Sequence, residues 1–318
     1  MLVAAAALAS TTAACRSAGD DPTIRGSTRQ PDVSVKRGRG PEVGETSQFA
    51  PPERLAEVDI ENLGESSGLA ASRTQPGKYW THNDSGDKPL VYCIDGYGRP
   101  CGVWNVTGAE AQDWEDMAVG PGPEPGRSYL YLADIGDNGA SRRSVVVYRV
   151  AEPGPESDSA ASSAKRPRAT EQATAIGLRY ADGPRDAEAL LVHPQSGAIY
   201  VLSKRFATTA VYQSDNRGGL ERIAELTIGP ADWITGGDIS PNGRQVVLST
   251  LSWGLELSLA PDSGGNFDEI WASRPAPFDL GSRRQGESVA YRLDGQAVLA
   301  TSEGSPMPLW QAQRRRSP

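Results

Sequence analysis

The chain has 318 residues, 38% of them hydrophobic, with 35 glycines, 24 prolines and a formal net charge of −8. This many glycines and prolines favours a turn-rich all-β protein over a helical one. Basic residues are concentrated near both ends, so the central part of the chain is acidic and a poor partner for the phosphate backbone of a nucleic acid.

Residues 1–15 predict an export signal. The stretch before Cys15 is apolar or small and too short to span a membrane as a helix. Two interpretations stay open: a lipoprotein-type signal that ends at a lipid-modified Cys15, or a simple cleaved signal or apolar tail. Residues 16–50 are rich in Gly, Pro, Ser and Arg, which predicts a disordered polar tether. We therefore expect a protein that is secreted, or anchored by lipid to the outer face of the cell membrane.

Five acid-led phrases recur along residues 51–313. They begin at Glu65, Glu115, Glu188, Thr235 and Glu287, at steps of 50, 73, 47 and 52 residues. A period near 50, in which each repeat is built of short β-patterned runs, is typical of a radial repeat. The long step contains an Ala/Ser/Pro-rich insertion, about 152–174, whose composition predicts a disordered surface loop.

Each repeat can be divided into about four predicted strands. In chain order the first four repeats contain 68–72, 78–82, 90–95 and 103–106; 115–119, 128–133, 144–150 and 175–180; 189–193, 198–203, 209–213 and 220–227; 237–240, 245–250, 255–259 and 267–271. The last repeat contains 288–292, 296–301 and 308–311, and a strand at 54–60 would supply its fourth and close the ring. The prediction is a single five-bladed β-propeller over 51–313 with a basic tail at 314–318. Six blades would require the insertion to form strands.

Two cysteines bracket a predicted hairpin turn. Cys93 and Cys101 lie in or beside the β-type runs 90–94 and 102–106. Opposed cysteines across such a hairpin can close a disulfide, which an oxidising compartment would preserve. Two free thiols are the alternative.

Several motifs together resemble a known group of proteins. They are Glu65-Ser-Ser-Gly-Leu, Trp80-Thr-His-Asn-Asp-Ser-Gly-Asp, Asp113-Trp-Glu-Asp-Met-Ala, Asp134-Ile-Gly-Asp-Asn and Asp186-Ala-Glu-Ala-Leu. Over about 65–310 the chain resembles exported actinobacterial β-propellers of undetermined function and, more distantly, phytase-like and esterase-like propellers. The resemblance implies a propeller fold and an exported location. The phytase-like similarity would imply calcium sites and phosphate-ester substrates. Thr235 departs from the pattern, because the other phrases begin with Glu.

The acidic motifs are predicted to converge on one opening of the ring. In a four-stranded blade the loops that join strands 4 and 1, and strands 2 and 3, emerge on the same face. Carboxylates gathered there repel one another unless a cation or protons intervene, and oxygen ligands suit Ca²⁺. The predicted ligands are Glu65, Asp84, Asp87, Glu115, Asp116, Asp134, Asp137, Asn138, Asp186, Glu188 and Glu287. The alternative is that these side chains cap turns by accepting hydrogen bonds from backbone N–H groups.

Further residues are predicted to share this opening. Glu115, Glu188 and His82 are the catalytic candidates, and Lys204, Arg205 and Arg185 are candidates for holding an anionic substrate oxygen. Solvated surface charge is the alternative for the three cations. Trp80, Trp114, Trp233 and Trp253 either stack on a sugar or pack between blades.

Two functions fit these patterns. One is a metal-dependent hydrolase of a small anionic ester, phosphate ester or lactone, in which carboxylates bind the cation and one activates water. The other is a non-catalytic propeller that presents the acidic face to a cell-envelope ligand or protein. Propellers serve both purposes, so the fold alone does not decide.

Overall fold

The computed structural model describes residues 48–154, 162–229 and 232–315. Apart from one short 3-10 helix, the regular structure in these ranges is all β. No helix among the described residues is long and apolar enough to cross a bilayer. The predicted lipidation site Cys15, nearly all of the predicted tether and the last three residues of the basic tail lie outside the described residues.

Twenty of the strands in the described ranges form five antiparallel groups of four, which we call units 1 to 5. Unit 1 contains β2 (Ser66–Ala71), β3 (Lys78–Asn83), β4 (Leu90–Asp95) and β5 (Pro100–Asn105). Unit 2 contains β6 (Trp114–Pro121), β7 (Ser128–Asp134), β8 (Val145–Ala151) and β10 (Thr174–Tyr180). Unit 3 contains β11 (Ala187–Val192), β12 (Ile199–Ser203), β13 (Thr208–Ser214) and β14 (Gly219–Thr227). Unit 4 contains β15 (Ile234–Ile239), β16 (Gln245–Thr250), β17 (Gly254–Ser258) and β18 (Ala276–Phe278). Unit 5 contains β19 (Gly286–Tyr291), β20 (Ala297–Ser302), β21 (Met307–Gln313) and β1 (Glu53–Val58).

The units follow one another in a cyclic order. Their first strands β2, β6, β11, β15 and β19 are neighbours in that sequence, and β19 is again next to β2. Units 2 and 3 join into an eight-stranded sheet through a short parallel contact, in which Arg179 and Tyr180 of β10 face Gly219 and Leu220 of β14. The arrangement is all-β and propeller-like.

The N-terminal strand completes the last unit. β1 pairs antiparallel with β21, with Val58 opposite Met307. The prediction that a strand near 54–60 joins the final repeat is therefore confirmed. This pairing covers the open edge of β21, which would otherwise expose unpaired backbone groups.

The predicted fourth strand of unit 4 is wrong. Residues Phe267–Ala272 form a 3-10 helix, and its N-cap Asn266 accepts a hydrogen bond from the Asp268 backbone N–H. Phe267, Ile270 and Trp271 are buried, at the i, i+3, i+4 spacing of a helical face. The strand at the edge of this sheet is β18 instead, which pairs with β17.

The second half of the insertion belongs to the fold. β9 (Arg168–Ala169) pairs in parallel with β5, and the Ser162 hydroxyl accepts a hydrogen bond of 2.8 Å from the Val103 backbone N–H. The expectation of a disordered loop over about 152–174 is therefore wrong for this part, which covers the outer edge of unit 1. Residues 155–161 lie outside the described ranges.

Each first strand carries a shift in pairing register at its acid-led phrase. The shifts fall between Ser66 and Leu69 in β2, Trp114 and Asp116 in β6, Ala187 and Ala189 in β11, Ile234 and Gly236 in β15, and Gly286 and Val289 in β19. An extra residue of this kind interrupts the ladder and re-aims a side chain. Glu115, Glu188, Thr235 and Glu287 lie within these shifts, so the same irregularity positions them in four units.

Candidate cation site on the acidic face

Five carboxylates form two overlapping groups. Asp84, Asp113 and Glu115 make one group, and Glu115, Asp186 and Glu188 make the other. In each group the oxygen atoms lie within 4.8 Å of one another. Glu115 and Glu188 are buried, while the three aspartates are partly exposed. We call these five residues the acidic cluster.

A short repeated motif brings most of the cluster together. Asp113-Trp-Glu115 in unit 2 and Asp186-Ala-Glu188 in unit 3 share the same D-x-E spacing. In each motif the two carboxylates belong to the same group of oxygens, so each motif delivers a pair of carboxylates. The intervening Trp114 and Ala187 are buried in hydrophobic clusters, and this packing holds each motif in place.

The loop after β7 supports both motifs. An ideal Cβ on Gly136 would lie 2.1 Å from Oε1 of Glu115 and 2.5 Å from Oδ2 of Asp113, so a side chain here would displace these carboxylates. The Asp137 backbone N–H donates to Oδ1 of Asp186 at 2.8 Å. Glycine at position 136 therefore leaves the room that the cluster occupies.

Glu115 is the member without a partner. Among the described residues, no hydrogen bond or ion pair reaches its carboxylate, although the residue is only 4% exposed. Burial raises the pKa of Glu115 to about 11, and the nearby Glu188, Asp84 and Asp113 add to the rise. A buried, unpaired carboxylate is costly in free energy. Without a cation this group therefore keeps its proton at neutral pH.

Glu188 has a partner within the chain. The Lys204 ammonium forms an ion pair with its carboxylate. Burial raises the pKa of Glu188 to about 7, against the opposing effect of Lys204. Burial also disfavours the charged form of Lys204, but Glu188 and Asp186 outweigh it and raise the pKa of Lys204 above its ordinary value.

Units 4 and 5 carry different residues, Thr235 and Glu287, at the position that Glu115 and Glu188 occupy in units 2 and 3. Glu287 is buried, and burial together with Glu188 and Glu303 raises its pKa to about 8. Thr235, which replaces Glu in unit 4, donates its hydroxyl to the Gly286 carbonyl at 2.7 Å. Glu287 thus adds negative charge beside the acidic cluster, and Thr235 bonds its neighbouring strand.

Asp116 is structural, which corrects its prediction as a metal ligand. Its carboxylate accepts hydrogen bonds from the backbone N–H groups of Met117, Leu190 and Gly237 at 2.8, 2.9 and 3.2 Å. These donors belong to β6, β11 and β15. The side chain therefore links the first strands of three units.

Other predicted ligands also have partners or stand apart. Asp134 forms an ion pair with Arg142 at 2.7 Å, Asp137 accepts from the backbone N–H groups of Ser141 and Arg142, and Asp87 accepts from the Asn83 side chain and the Lys88 backbone. Glu65 and Asn138 are exposed and belong to neither carboxylate group. For Asp137 and Asp87 the turn-capping alternative describes the backbone contacts, whereas Asp134 pairs with a side chain.

Two of the three predicted substrate-binding cations bond elsewhere. Arg205 forms an ion pair with Glu225 at 3.1 Å. Arg185 forms an ion pair with Asp182 and lies over the rings of Tyr180 and Tyr212. Of the three, Lys204 is the one that contacts the acidic cluster.

His82 does not reach the surface. It has 0% exposure, its Nδ1 lies 2.7 Å from the Asn83 carbonyl, and its ring packs edge-on against Trp114. Burial lowers its pKa, so the ring is neutral at pH 7. Nε2 has no hydrogen bond of ordinary geometry among the described residues. The predicted catalytic role would require access that this packing denies.

The two cysteines are free thiols that lie side by side. Cys93 is buried and Cys101 is partly exposed. A hydrogen bond with Cys93 is the main cause that lowers the pKa of Cys101, to about 7. The disulfide stays a prediction for the oxidised protein.

Asp113 is not among the metal ligands predicted from the sequence. The signal was present, because Asp113 stands before Glu115 as Asp186 stands before Glu188. It also placed Trp80 and Trp114 among the sugar-stacking candidates, but both are fully buried in the core. Packing is therefore the correct interpretation for these two, whereas Trp233 and Trp253 are partly exposed.

The donor set fits a hard divalent cation. All the cluster's donors are carboxylate oxygens, the ligands that Ca²⁺ and Mg²⁺ prefer. Oxygens on opposite sides of a Ca²⁺ ion lie about 5 Å apart, which matches the separation within each group. The cluster can therefore hold a metal ion.

No protein-family model matches the chain, and no curated protein matches it. The described part of the chain is therefore an all-β, propeller-like protein with a carboxylate cluster in which Glu115 and Glu188 are buried.

Proposed function

We propose that the body of this protein is a single five-bladed β-propeller whose acidic cluster binds Ca²⁺ and hydrolyses a small anionic ester. The cyclic order of the five first strands and the pairing of β1 with β21 support the propeller. Repeat steps of 47 to 52 residues, apart from the one that contains the insertion, agree with it.

The unpartnered Glu115 carboxylate carries the proposal. It belongs to both carboxylate groups, and the residue as a whole is only 4% exposed. Burying such a group without a partner costs several kcal/mol per ion when it is charged, and a bound cation removes most of that cost. Ca²⁺ accepts six to eight oxygen ligands in irregular geometry, which suits a five-carboxylate cluster better than the strict octahedron of Mg²⁺.

The residues around the cluster suit ester hydrolysis. A bound divalent ion polarises a phosphoryl or carbonyl oxygen and acidifies a bound water. Glu188 would accept a proton from a water bound to the ion, since its carboxylate belongs to the same group of oxygens as those of Glu115 and Asp186. The Lys204 side chain is 33% exposed. It would hold an anionic oxygen of the substrate while it keeps its ion pair with Glu188. The substrate class is a phosphate ester, another small anionic ester or a lactone.

A calcium titration with matched variants tests the site. Calcium should raise the melting temperature of the wild type and of Glu65→Gln, which changes an exposed acid at the equivalent repeat position. It should leave Glu115→Gln unaffected. Turnover of p-nitrophenyl phosphate or of a lactone panel should then disappear with chelator and with Glu188→Gln. An equal calcium response in Glu115→Gln and wild type would reject the site.

The second candidate is a non-catalytic propeller that binds a cell-envelope ligand or protein. The complete burial of His82 favours it, because this removes the one histidine proposed for catalysis. Calcium would then only stiffen the loops around the cluster. A calcium-dependent melting shift without turnover of any substrate in the panel would select this function.

Export and lipid anchoring remain proposals that rest on residues 1–15. We propose that Cys15 carries the lipid and that the propeller faces the cell exterior, with no nucleic-acid partner. Metabolic labelling with a radioactive fatty acid should mark the wild type and not Cys15→Ser. Labelling of both proteins, or of neither, would reject the anchor.

A further inference from the structure

An exposed aromatic residue follows Lys204 closely in the chain. Phe206 is 58% exposed, and among the described residues only Tyr97 and Ile223 are also large, hydrophobic and exposed. Phe206 lies in the loop between β12 and β13, two residues after Lys204. Because Lys204 pairs with Glu188, the loop that carries Phe206 begins at a residue in contact with the acidic cluster.

The loop is held in an unusual conformation. Ala207 has φ 64°, in the left-handed region that alanine rarely adopts. Its N–H donates to the Asp232 carbonyl at 3.0 Å, and its own carbonyl accepts from the Ile228 N–H at 3.0 Å. The backbone is thus held by both of its polar groups. Strain of this kind clusters at ligand-binding positions.

A second aromatic ring supports Phe206 from one side. The centroids of Phe206 and Trp233 are 5.2 Å apart and their planes meet at 65°. Asp232 fixes this neighbour, because its carboxylate accepts from the Trp233 backbone N–H at 2.9 Å and from the Thr250 hydroxyl at 2.7 Å. The pair is therefore a rigid aromatic surface that still exposes most of Phe206.

We propose that Phe206 and Trp233 form a subsite for an aromatic ring of the ligand. The ligand's anionic group would bind at the acidic cluster and Lys204, and this half of the inference rests on the proposed function. The other half, that an aromatic ring binds at Phe206 and Trp233, rests only on the aromatic surface. Edge-to-face and offset contacts with a third ring extend a pair of this geometry.

The neighbouring polar groups favour an aryl ring over a sugar. A sugar needs free donors and acceptors around the aromatic surface to fix its hydroxyl groups. Here Arg205 is paired with Glu225, and the Asp232 carboxylate with the Thr250 hydroxyl and backbone N–H groups. A ligand that contributes only apolar area suits this surface best.

Binding of three phosphate esters tests the subsite. We would measure phenyl phosphate, methyl phosphate and glucose 1-phosphate by calorimetry in calcium, and benzyl alcohol by ligand-observed NMR with and without calcium. Phe206→Ala is the test variant, since an exposed side chain can be removed without unfolding the protein. Tyr97→Ala is the matched control: Tyr97 is 72% exposed in the turn between β4 and β5, where Arg99 lies over its ring.

The expected result is selective. Wild type should bind phenyl phosphate more tightly than methyl phosphate, and Phe206→Ala should weaken phenyl phosphate about fivefold while leaving methyl phosphate unchanged. Benzyl alcohol should lose its signal in Phe206→Ala and keep it in Tyr97→Ala, with or without calcium.

Other outcomes overturn the inference. These are equal affinity of wild type for phenyl and methyl phosphate, a larger Phe206 effect on glucose 1-phosphate, an equal loss in Tyr97→Ala, or absence of benzyl alcohol binding. If calcium changes no phosphate affinity, the proposed cation site fails. The dependence of benzyl alcohol binding on Phe206 then still decides the ring subsite.

Discussion

Glu115 and Asp116 are adjacent acids with nearly equal burial and opposite surroundings. Their exposures are 4% and 1%. Asp116 receives three backbone N–H groups from three strands, whereas no donor among the described residues reaches the carboxylate of Glu115. Burial alone therefore does not identify a ligand-binding acid. The hydrogen-bond partners of the acid distinguish the two cases. A buried carboxylate with hydrogen-bond donors stabilises the fold, whereas one without donors is a candidate for binding a ligand.

Removing the Asp116 carboxylate should lower the free energy of unfolding more than any other change predicted here. Asp116→Ala leaves three buried N–H groups without an acceptor, so we expect the free energy of unfolding to fall by about 3 kcal/mol or more. Glu115→Gln, measured in chelator, should leave the stability unchanged or raise it. Urea denaturation compares the two variants. Equal destabilisation by both would remove the distinction between them.

The pH dependence of stability should reveal the carboxylic acids whose pKa values are raised by burial. In the folded, metal-free protein the pKa values of Glu188, Glu287 and Glu115 are raised to about 7, 8 and 11 from an ordinary value of 4.5. Between about pH 5 and 8 the folded state therefore holds protons that the unfolded state has released. Stability should fall as pH rises, by up to about 1.4 kcal/mol per pH unit for each group that stays protonated.

Calcium should flatten this slope, because a bound cation favours the charged carboxylates. Thermal unfolding in chelator and in calcium, at half-unit steps from pH 5 to 8, measures the difference. Glu115→Gln should have the shallower slope in chelator. A stability that rises over this range in chelator would contradict the raised pKa values.

Neutralising Lys204 should change calcium affinity, by less free energy than the changes in stability above. Lys204→Met removes the ammonium that competes with a metal ion for Glu188, so we expect calcium affinity to rise by roughly two- to fivefold, the size of a partly exposed ion pair. Arg205→Met is the matched control, since its partner Glu225 lies outside the cluster. Calorimetry measures both affinities. A weaker affinity in Lys204→Met would mean that the ammonium supports the site.

The sequence predicted most of the strands, because alternation and turn residues mark them locally. It failed at 267–271, where Phe267, Ile270 and Trp271 fit a buried strand and a short helix equally well until Asn266 is seen to cap the helix. The insertion was also misjudged, since its polar composition does not reveal that β9 pairs with β5.

The site was predictable only in part. Asp84, Glu115, Asp186 and Glu188 were predicted as ligands and lie together. Asp116 was wrongly included, because a register shift of one residue decides which of two adjacent acids faces the cluster, and no local pattern marks it. The partners of Arg205 and Asp134 depend on which loops the fold brings into contact.

A crystal soaked in calcium would show whether Glu115 binds the ion. We expect an ion bonded to oxygens of Glu115 at about 2.3–2.6 Å, with further ligands from Asp84, Asp113, Asp186 or Glu188. Crystals of Glu115→Gln under the same soak should contain no ion there. If Glu115 contacts only water or protein atoms in a wild-type crystal saturated with calcium, the acidic cluster is not a calcium site.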